Sequence, residues 1–437
     1  MSSQLTYKKA QSIKLEEMQQ LQEGIYYKRN PAIGNSLSVI LLRSKGDADA
    51  IDIGNTIRDL WQNLRNLKKG IVKDLDVDFS HRLSGELSIL VGYGPSVFKI
   101  KSVRKKKPEA FDDKWLFNKP SPLGGGALVN GSDLTYAPDV NENDALGDHV
   151  LLQFIGKSEF FSNRAIVEVW RELERKNKST GKSCLEVSAV YTGFFRPDRR
   201  NWLGFHDGVS NMNSQERVYA IAIKPNQLNA NDKWLTNGTY ISFIRIYTDL
   251  NKWDDLERET QEIIIGRDKS TGCPLIGVDK NGKPVKDRRC PILGTSEVVD
   301  PGNEYFRNHP DYGRKFDSKS RISDEVLKDS HIASSRPIDT IPVWDKRSFR
   351  IFRQGFEFLD TQSRNGAFSV GLNFISFQNT PERLFKTLTY FQKLQTKDSQ
   401  HQKQLHLSDF TSVRAGGIFL APPTNDYESF PGETIFF

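Results

Sequence analysis

The sequence predicts an α+β fold of two units, each an antiparallel sheet covered by helices. Two observations lead to this prediction. Short apolar segments typical of strands alternate with longer amphipathic segments typical of helices, and the same order of elements recurs in the two halves of the 437-residue chain. The repeat is one of element order and not of sequence. Such an order is typical of sheets that pack helices on one face.

The first half contains four predicted strands and two predicted helices. The strands cover residues 37–42, 86–94, 149–154 and 185–191, and the helices cover 50–67 and 160–176. The first helix places Ile57, Leu60 and Leu64 on roughly one side, as expected for a helix with one buried face. A polar lead-in precedes these elements, with a short predicted helix around 14–22.

The second half repeats the order of strands and helices. Its predicted strands cover 239–247, 367–377 and 416–421, and its predicted helices cover 253–265 and 381–395. A long irregular region, roughly 267–347, separates the first of these helices from the next strand, and loops of that length are usually functional or mobile. We divide the chain into an N-terminal extension (1–35), a first unit (36–225) and a second unit (226–437).

The composition is that of an ordinary globular protein, with 37% hydrophobic and 27% charged residues. The net charge of +7 is small for this length, and the basic stretch 101–107 contains no interleaved aromatic residues. We therefore predict no nucleic-acid partner. No stretch has the ~20 apolar residues that a membrane span needs, and residues 1–24 lack the apolar core of an export signal. We predict a cytoplasmic protein with no membrane partner.

The three cysteines, Cys184, Cys273 and Cys290, form no metal-binding or disulfide framework. Cys273 and Cys290 each precede a proline in a predicted loop and could pair. Free thiols are nevertheless the expected state in a cytoplasmic protein.

Three short segments contain residues that could react. Residues 201–211 place the carboxylate of Asp207 in a turn between Gly204 and Gly208, and two later segments contain His331 and Arg353. Each segment alone has a structural interpretation. An aspartate beside glycine is first of all a turn signal, and a lone histidine or arginine is more often structural than reactive.

Taken together, the three segments resemble the dye-decolourising peroxidases, a family of haem peroxidases, in order and spacing. His331 lies 124 residues after Asp207, and Arg353 lies 22 residues after His331. Further resemblances occur at 90–98, 265–275, 371–378, 418–423 and 431–436, so that the likeness covers residues 37 to 437. The family fold is a pair of ferredoxin-like α+β domains. The resemblance thus implies that 36–225 is the first such domain, with the Asp207 motif, and that 226–437 is the second, haem-binding domain.

The resemblance also implies one haem b per chain, with His331 as the iron ligand. Asp207 would move a proton of hydrogen peroxide as acid and base, and Arg353 would supply fixed positive charge beside it. Arg353 is also among the residues implied to border the haem, and the others are Gly204, Phe205, Gly208, Leu372 and Phe374. His206, next to Asp207, is expected to point away from it.

Two positions depart from the family pattern. Ala333 stands where a basic residue is common, and Met212 stands where a proline is common. The first departure leaves open which residue holds a haem propionate, with Arg336 and Arg245 as candidates. Neither departure removes a reacting group.

The implied function is that of an oxidoreductase that reduces hydrogen peroxide and oxidises bulky organic donors, such as dyes and phenolics, by one-electron steps. A homo-oligomer is a possible assembly. The alternative is a haem-binding protein without turnover, namely a carrier, sensor or store, because fold does not fix function. Such a protein would need only His331 and the pocket. A third interpretation, a hydrolase without haem built on Asp207, lacks a nucleophile or a second acid at a recognisable spacing.

Overall fold

The computed structural model describes most of the predicted elements. The described residues are 20–25, 34–46, 48–71, 87–111, 148–181, 184–196, 200–207, 217, 219–286, 327, 330–334, 348, 350–360, 368–384, 387 and 405–437. Most residues of the two helices predicted at 14–22 and 381–395 lie outside these ranges.

The first half forms a four-stranded antiparallel sheet. Its strands are β1 (Ser36–Ser44), β2 (Leu87–Tyr93), β3 (Val150–Gly156) and β4 (Leu185–Phe194), in the spatial order β4-β1-β3-β2. Helix α1 (Ala50–Lys68) follows β1, and helix α2 (Glu159–Thr180) follows β3. The side chain of Asp49 caps α1 by accepting from the amide of Asp52 at 3.0 Å. Gly181, with a φ of +64°, ends α2.

The second half forms a sheet of the same topology. Its strands are β5 (Thr239–Thr248), β8 (Phe352–Asp360), β9 (Ser369–Gln378) and β10 (Thr411–Ala421), in the order β10-β5-β9-β8. Between β5 and β8 lie helices α3 (Leu250–Asp254) and α4 (Arg258–Ile265), the hairpin of β6 (Leu275–Val278) and β7 (Pro284–Lys286), and the short helix α5 (His331–Ser334). Both sheets therefore have the strand order of a ferredoxin-like unit.

The two sheets meet at both edges and close into one barrel. Tyr93 of β2 pairs with Leu420 of β10, and Phe194 of β4 pairs with Glu357 of β8. One buried apolar cluster draws residues from all eight strands but β4 and fills the barrel interior. A second cluster lies between the first sheet and helices α1 and α2. This closely packed interior holds the strands of the second sheet in fixed positions, and with them the side chains that point outward.

The predicted α+β fold of two ferredoxin-like units is confirmed, with two differences in the second unit. The helix predicted at 253–265 is two helices, α3 and α4, interrupted at 255–257. Strand β8 was not predicted, because the polar Gln354 stands among the inward-facing aromatic residues and interrupts the alternation of apolar and polar residues that identifies a strand. The proposed domain boundaries stay predictions.

The cysteines differ from expectation. Cys184 is a free thiol, as predicted, but the prediction is wrong for Cys273, which is disulfide-bonded. Cys290, the one remaining cysteine of the chain, lies outside the described residues. Among the helices that are described, none combines the length and the apolar character required to cross a membrane.

Candidate functional site

The outward face of β8 forms the centre of the candidate site. Side chains alternate along a strand, and Phe352 and Phe356 belong to the cluster inside the barrel. Arg353, Gly355 and Glu357 therefore share the opposite, outward face. Arg353 and Gly355 are half-buried, and Glu357 is buried.

Strand β9 extends this face with apolar side chains. Phe374 pairs with Gly355, and Leu372 pairs with Glu357. Both Phe374 and Leu372 are half-buried, whereas Asn373 between them is buried inside the barrel. The two predicted cofactor-binding residues of this strand thus lie on the same face as Arg353.

Asp207 lies directly against this face at Gly355. A β-carbon at Gly355 would stand 2.4 Å from Oδ2 of Asp207 and 3.0 Å from Cδ1 of Leu372. Only a glycine allows the carboxylate to approach the strand so closely. Arg353 and Glu357 are two residues from Gly355 in either direction, roughly 7 Å along the strand. The carboxylate of Asp207 therefore lies between a cation and a second carboxyl group.

The loop that presents Asp207 is closed by its own hydrogen bonds. The amide of Asn201 donates to the carbonyl of Phe205 at 2.9 Å, and the side-chain oxygen of Asn201 accepts from the amide of Phe205 at 3.0 Å. The guanidinium of Arg200 donates to the carbonyls of Gly204 at 2.6 Å and Ser270 at 2.8 Å. The loop is thereby tied to the segment that follows α4.

Trp202 ties the same loop to β8. Its amide donates to Oε2 of Glu357 at 3.0 Å, and its indole N–H donates to the carbonyl of Phe358 at 2.9 Å. The loop is thus held on two sides, and the position of Asp207 is fixed by hydrogen bonds that do not involve its own side chain.

His331 lies on a turn that packs against the end of α4. Gly266, with a φ of +85°, ends this helix, and a β-carbon there would stand 2.7 Å from both Ile332 and the hydroxyl of Ser330. Glycine is required at this position by its backbone conformation and by the close approach. The segment that begins at Ile265 therefore supports the turn that contains His331.

Electrostatic interactions connect the predicted site residues. Burial, together with the positive charges of Arg353 and Arg267, lowers the pKa of His331 to about 4. Burial also lowers the pKa of Arg353, while Asp207 raises it. His331 is therefore neutral at neutral pH, and Arg353 is close enough to influence both His331 and Asp207. The structure brings these three predicted residues together.

Glu357 differs from an ordinary glutamate. Burial raises its pKa to about 8, and the negative charge of Asp207 acts in the same direction. The hydrogen bond from the Trp202 amide and the charge of Arg196 oppose the increase. Glu357 therefore carries a proton at neutral pH.

Gly204, Phe205 and Gly208 were predicted to border the cofactor, and the structure describes the first two. Gly204 has a φ of +88°, and the space for its β-carbon is occupied by Cε of Lys269, 2.4 Å away. Its described neighbour is thus the segment after α4. Phe205 is buried in an apolar cluster with Trp253, their ring centroids 6.3 Å apart. A cofactor contact of either residue stays a prediction, and Gly208 lies outside the described residues.

Arg245 is excluded as a residue that holds a propionate. It pairs with Asn373 and donates to the side-chain oxygen of that residue at 2.7 Å, on the side of the sheet that faces the barrel interior. It also forms an ion pair with Asp360 and lies 3.5 Å from the ring centroid of Phe358. The other candidate, Arg336, lies outside the described residues.

Gly355, Glu357 and Gly266 belong to the candidate site but were not predicted from the sequence. The first two follow from Arg353 by strand alternation, at two and four positions further on. That signal becomes usable only when β8 is recognised as a strand. Gly266 belongs to a segment that resembles the peroxidase family, but its role depends on a contact with Ser330 that is distant in sequence.

Comparison with known proteins places the chain in a family. Residues 198–426, more than half of the chain, match the family model described as Dyp-type peroxidase, C-terminal. A deferrochelatase of Escherichia coli is 25% identical over 235 residues, which are 52% of this chain and 44% of that protein. The chain therefore matches less than half of the length of this curated relative.

Two solved structures are similar over nearly the whole chain. Ferric DtpA from Streptomyces lividans is 20% identical, with a TM-score of 0.64 over 96% of this chain and 98% of that one. A variant of DypB from Rhodococcus jostii in complex with haem is 17% identical, with a TM-score of 0.52 over 89% of this chain and 93% of that one. These likenesses show the fold.

The fold and the match over residues 198–426 define the class of protein as one built from two ferredoxin-like units. The chain belongs to the Dyp-type peroxidase family. Haem is the cofactor of this family.

Proposed function

We propose that this protein is a haem-dependent peroxidase that reduces hydrogen peroxide and oxidises organic donors. The observation that carries the proposal is the arrangement of Asp207, Arg353 and His331 around one half-buried face of β8. A protein that only binds haem would need His331 and an apolar surface, but it would not need a carboxylate fitted against Gly355 beside a half-buried arginine.

The described residues fit a haem group. His331 is held in the neutral form that binds haem iron, because burial and two nearby arginines lower its pKa to about 4. Phe374 and Leu372 offer an apolar surface on the same face as Arg353. We therefore assign His331 as the iron ligand, with Arg353, Leu372 and Phe374 bordering the macrocycle. Bound haem would supply the redox chemistry that no side chain of this site can provide.

Asp207 and Arg353 have separate roles in the proposal. The carboxylate of Asp207 accepts the first proton of hydrogen peroxide on its Oδ atom and returns it to the departing oxygen, so that it acts as base and then as acid. The guanidinium of Arg353 stabilises the negative charge that develops on the departing oxygen. Arg353 suits this role because its position on the strand is fixed and it remains charged at all relevant pH values.

The balance of the reaction gives the number of electrons that the donors must supply. Conversion of one hydrogen peroxide into two water molecules consumes two protons and two electrons. We propose that bulky dyes or phenolics supply these electrons one at a time, so that two donor molecules are oxidised for each peroxide.

A second candidate function is haem binding without turnover, as a carrier, sensor or store. We retain it because the curated relative in Escherichia coli is named a deferrochelatase rather than a peroxidase. The two candidates differ in what they require of Asp207 and Arg353, since only a peroxidase depends on both.

The visible absorption spectrum of the haem-loaded protein tests the proposal. We expect a sharp Soret band that changes promptly after one equivalent of hydrogen peroxide and returns when a phenolic donor is added. A Soret band that ignores peroxide would favour the second candidate, and the absence of specific haem uptake would contradict both.

The cytoplasmic location and a homo-oligomeric assembly are also proposals. The disulfide at Cys273 opposes a cytoplasmic location, because disulfides persist mainly in oxidising compartments. Because Cys273 is fully buried, the test is to quench intact cells with acid, unfold the protein and then label free thiols: a labelled Cys273 is expected for a cytoplasmic protein, and an unlabelled one would contradict that location. Sedimentation of the purified protein measures the assembly.

A further inference from the structure

Glu357 is a buried carboxyl group that the proposed chemistry does not use. Its side chain is on the outward face of β8, on the same side as Arg353 and Gly355, and Glu357 is only 5% exposed. A buried carboxyl group is costly unless it is hydrogen-bonded or neutral. One of its oxygens, Oε2, accepts from the amide of Trp202 at 3.0 Å. Glu357 is two residues from Gly355, against which Asp207 lies.

The surroundings of Glu357 supply one negative and one positive charge. The loop before β5 contributes the carboxylate of Asp207, and the segment after β4 contributes the guanidinium of Arg196. The paired residues on the two neighbouring strands are apolar, namely Phe194 and Leu372. Burial beside a second carboxylate favours the protonated form of Glu357.

We propose that Glu357 is a positioning residue that holds a proton and donates it in a hydrogen bond to the carboxylate of Asp207. The amide of Trp202 orients the Glu357 carboxyl group by binding the oxygen that does not carry the proton. Asp207 is then held between the O–H of Glu357 on one side and the guanidinium of Arg353 on the other. This inference deepens the proposed function and rests on it for the role of Asp207.

Loss of the Glu357 proton would change the position of Asp207. When Glu357 loses its proton to solvent, the hydrogen bond to Asp207 is lost and two negative charges lie beside each other on the same face of β8. Repulsion then moves Asp207 away from the position that it needs to accept a proton from peroxide. The inference therefore predicts that the peroxide reaction weakens as the pH rises above the pKa of Glu357.

The first experiment does not require haem. We would follow the side-chain carboxyl carbons of isotopically labelled glutamate by NMR in the full chain, as a function of pH. We expect one resonance to titrate near pH 8. It should be absent in Glu357→Gln and present in the control Glu186→Gln, whose side chain is exposed on β4. In Asp207→Asn the midpoint should fall by about one unit or more, because the like charge is removed.

Two results of this titration would overturn the inference. One is a Glu357 resonance that titrates in the ordinary glutamate range. The other is a midpoint that is the same in Asp207→Asn as in the parent protein, because the two carboxyl groups would then not interact. Either result would leave the proposed peroxidase function intact.

The second experiment uses the haem-loaded protein and measures the rate constant of its reaction with hydrogen peroxide. Between about pH 7 and pH 9 the rate constant of the parent should fall about tenfold, in proportion to the protonated fraction of Glu357. Glutamine cannot ionise, so Glu357→Gln should lose most of this decrease, whereas Glu186→Gln should retain it. The same decrease in Glu357→Gln as in the parent would overturn the inference. A parent protein that does not react with peroxide at all would overturn the proposed function, and the titration alone would then decide the inference.

Discussion

Strands β2 and β8 occupy the same place in two sheets of the same topology, but their outward faces differ. The outward residues of β2 are Leu87, Ile89, Val91 and Tyr93, all buried in the cluster beneath helices α1 and α2. The outward residues of β8 are Arg353, Gly355 and Glu357, and the loop that contains Asp207 lies against them. The barrel interior is apolar behind both strands.

This difference shows how one topology serves two purposes. In the first sheet, two long helices cover the outward face, so apolar side chains stabilise the fold there. In the second sheet, the outward face of β8 meets a hydrogen-bonded loop, so charged groups are held in fixed positions. The predictions below test whether β8 serves chemistry and β2 serves stability.

The largest effect is expected at Arg353. Arg353→Leu removes the fixed positive charge beside Asp207 and should reduce the rate constant of the reaction with hydrogen peroxide by about 10²–10³-fold. Stopped-flow absorption of the haem-loaded protein measures it. Arg353→Lys, which retains the charge, should recover part of the loss. An unchanged rate constant in Arg353→Leu would remove this residue from the proposed chemistry.

The matching change on β2 should affect stability alone. Ile89 is 3% exposed, and Ile89→Ala should lower the free energy of unfolding by about 3 kcal/mol through lost burial and the cavity that remains. Denaturant unfolding measures this loss. The peroxide rate constant per bound haem should stay as in the parent, and a parallel loss of that rate would refute the division of labour between the strands.

A glycine on each strand gives a matched pair. Gly355→Ala places a β-carbon 2.4 Å from Oδ2 of Asp207 and should reduce the peroxide rate constant about 10²-fold by displacing that carboxylate. Gly92→Ala on β2 meets side-chain carbons of Phe419 at 3.0 Å and Ile241 at 3.2 Å. It should lower stability without a comparable loss of rate. Equal rate losses in the two variants would show that the effect at Gly355 is not specific.

The smallest effect concerns the pH dependence of stability. The folded chain keeps the proton of Glu357 up to about pH 8, whereas the unfolded chain loses it near the ordinary value of 4.5. The parent therefore loses stability as the pH rises between these values. Full linkage would change the free energy of unfolding by ~1.4 kcal/mol per pH unit. We expect part of this change, so that between pH 5 and pH 8 the free energy of unfolding of Glu357→Gln should rise by about 2 kcal/mol relative to that of the parent. Denaturant unfolding at both pH values would contradict this if the two proteins changed in parallel.

Sequence patterns predicted the fold well wherever burial leaves a simple pattern. Strands β1, β3 and β5 are apolar runs or alternations, and α1 has one apolar face, so their periods identify them. β8 was missed because Gln354 stands on its inward face and Gly355 on its outward face, so that the alternation of apolar and polar residues is interrupted. Functional strands are the places where such rules are expected to fail.

The site was predicted in part for a related reason. His331, Asp207 and Arg353 were predicted through resemblance to a family, and the structure brings them together, but their roles stay predictions. The contacts that hold these residues in place were not predicted. The contact of Asp207 with Gly355, for example, joins two segments that are distant in the chain and share no local signal. The raised pKa of Glu357 likewise depends on burial and on a neighbour from another segment.

Haem ligation by His331 is the central claim, and a cavity variant tests it most directly. His331→Gly removes the imidazole and leaves space for a free imidazole molecule. We expect the haem-loaded variant to lose the Soret and ligand-field bands of histidine-ligated haem, and added imidazole to restore them. A variant whose haem spectrum equals that of the parent before imidazole is added would show that another residue binds the iron.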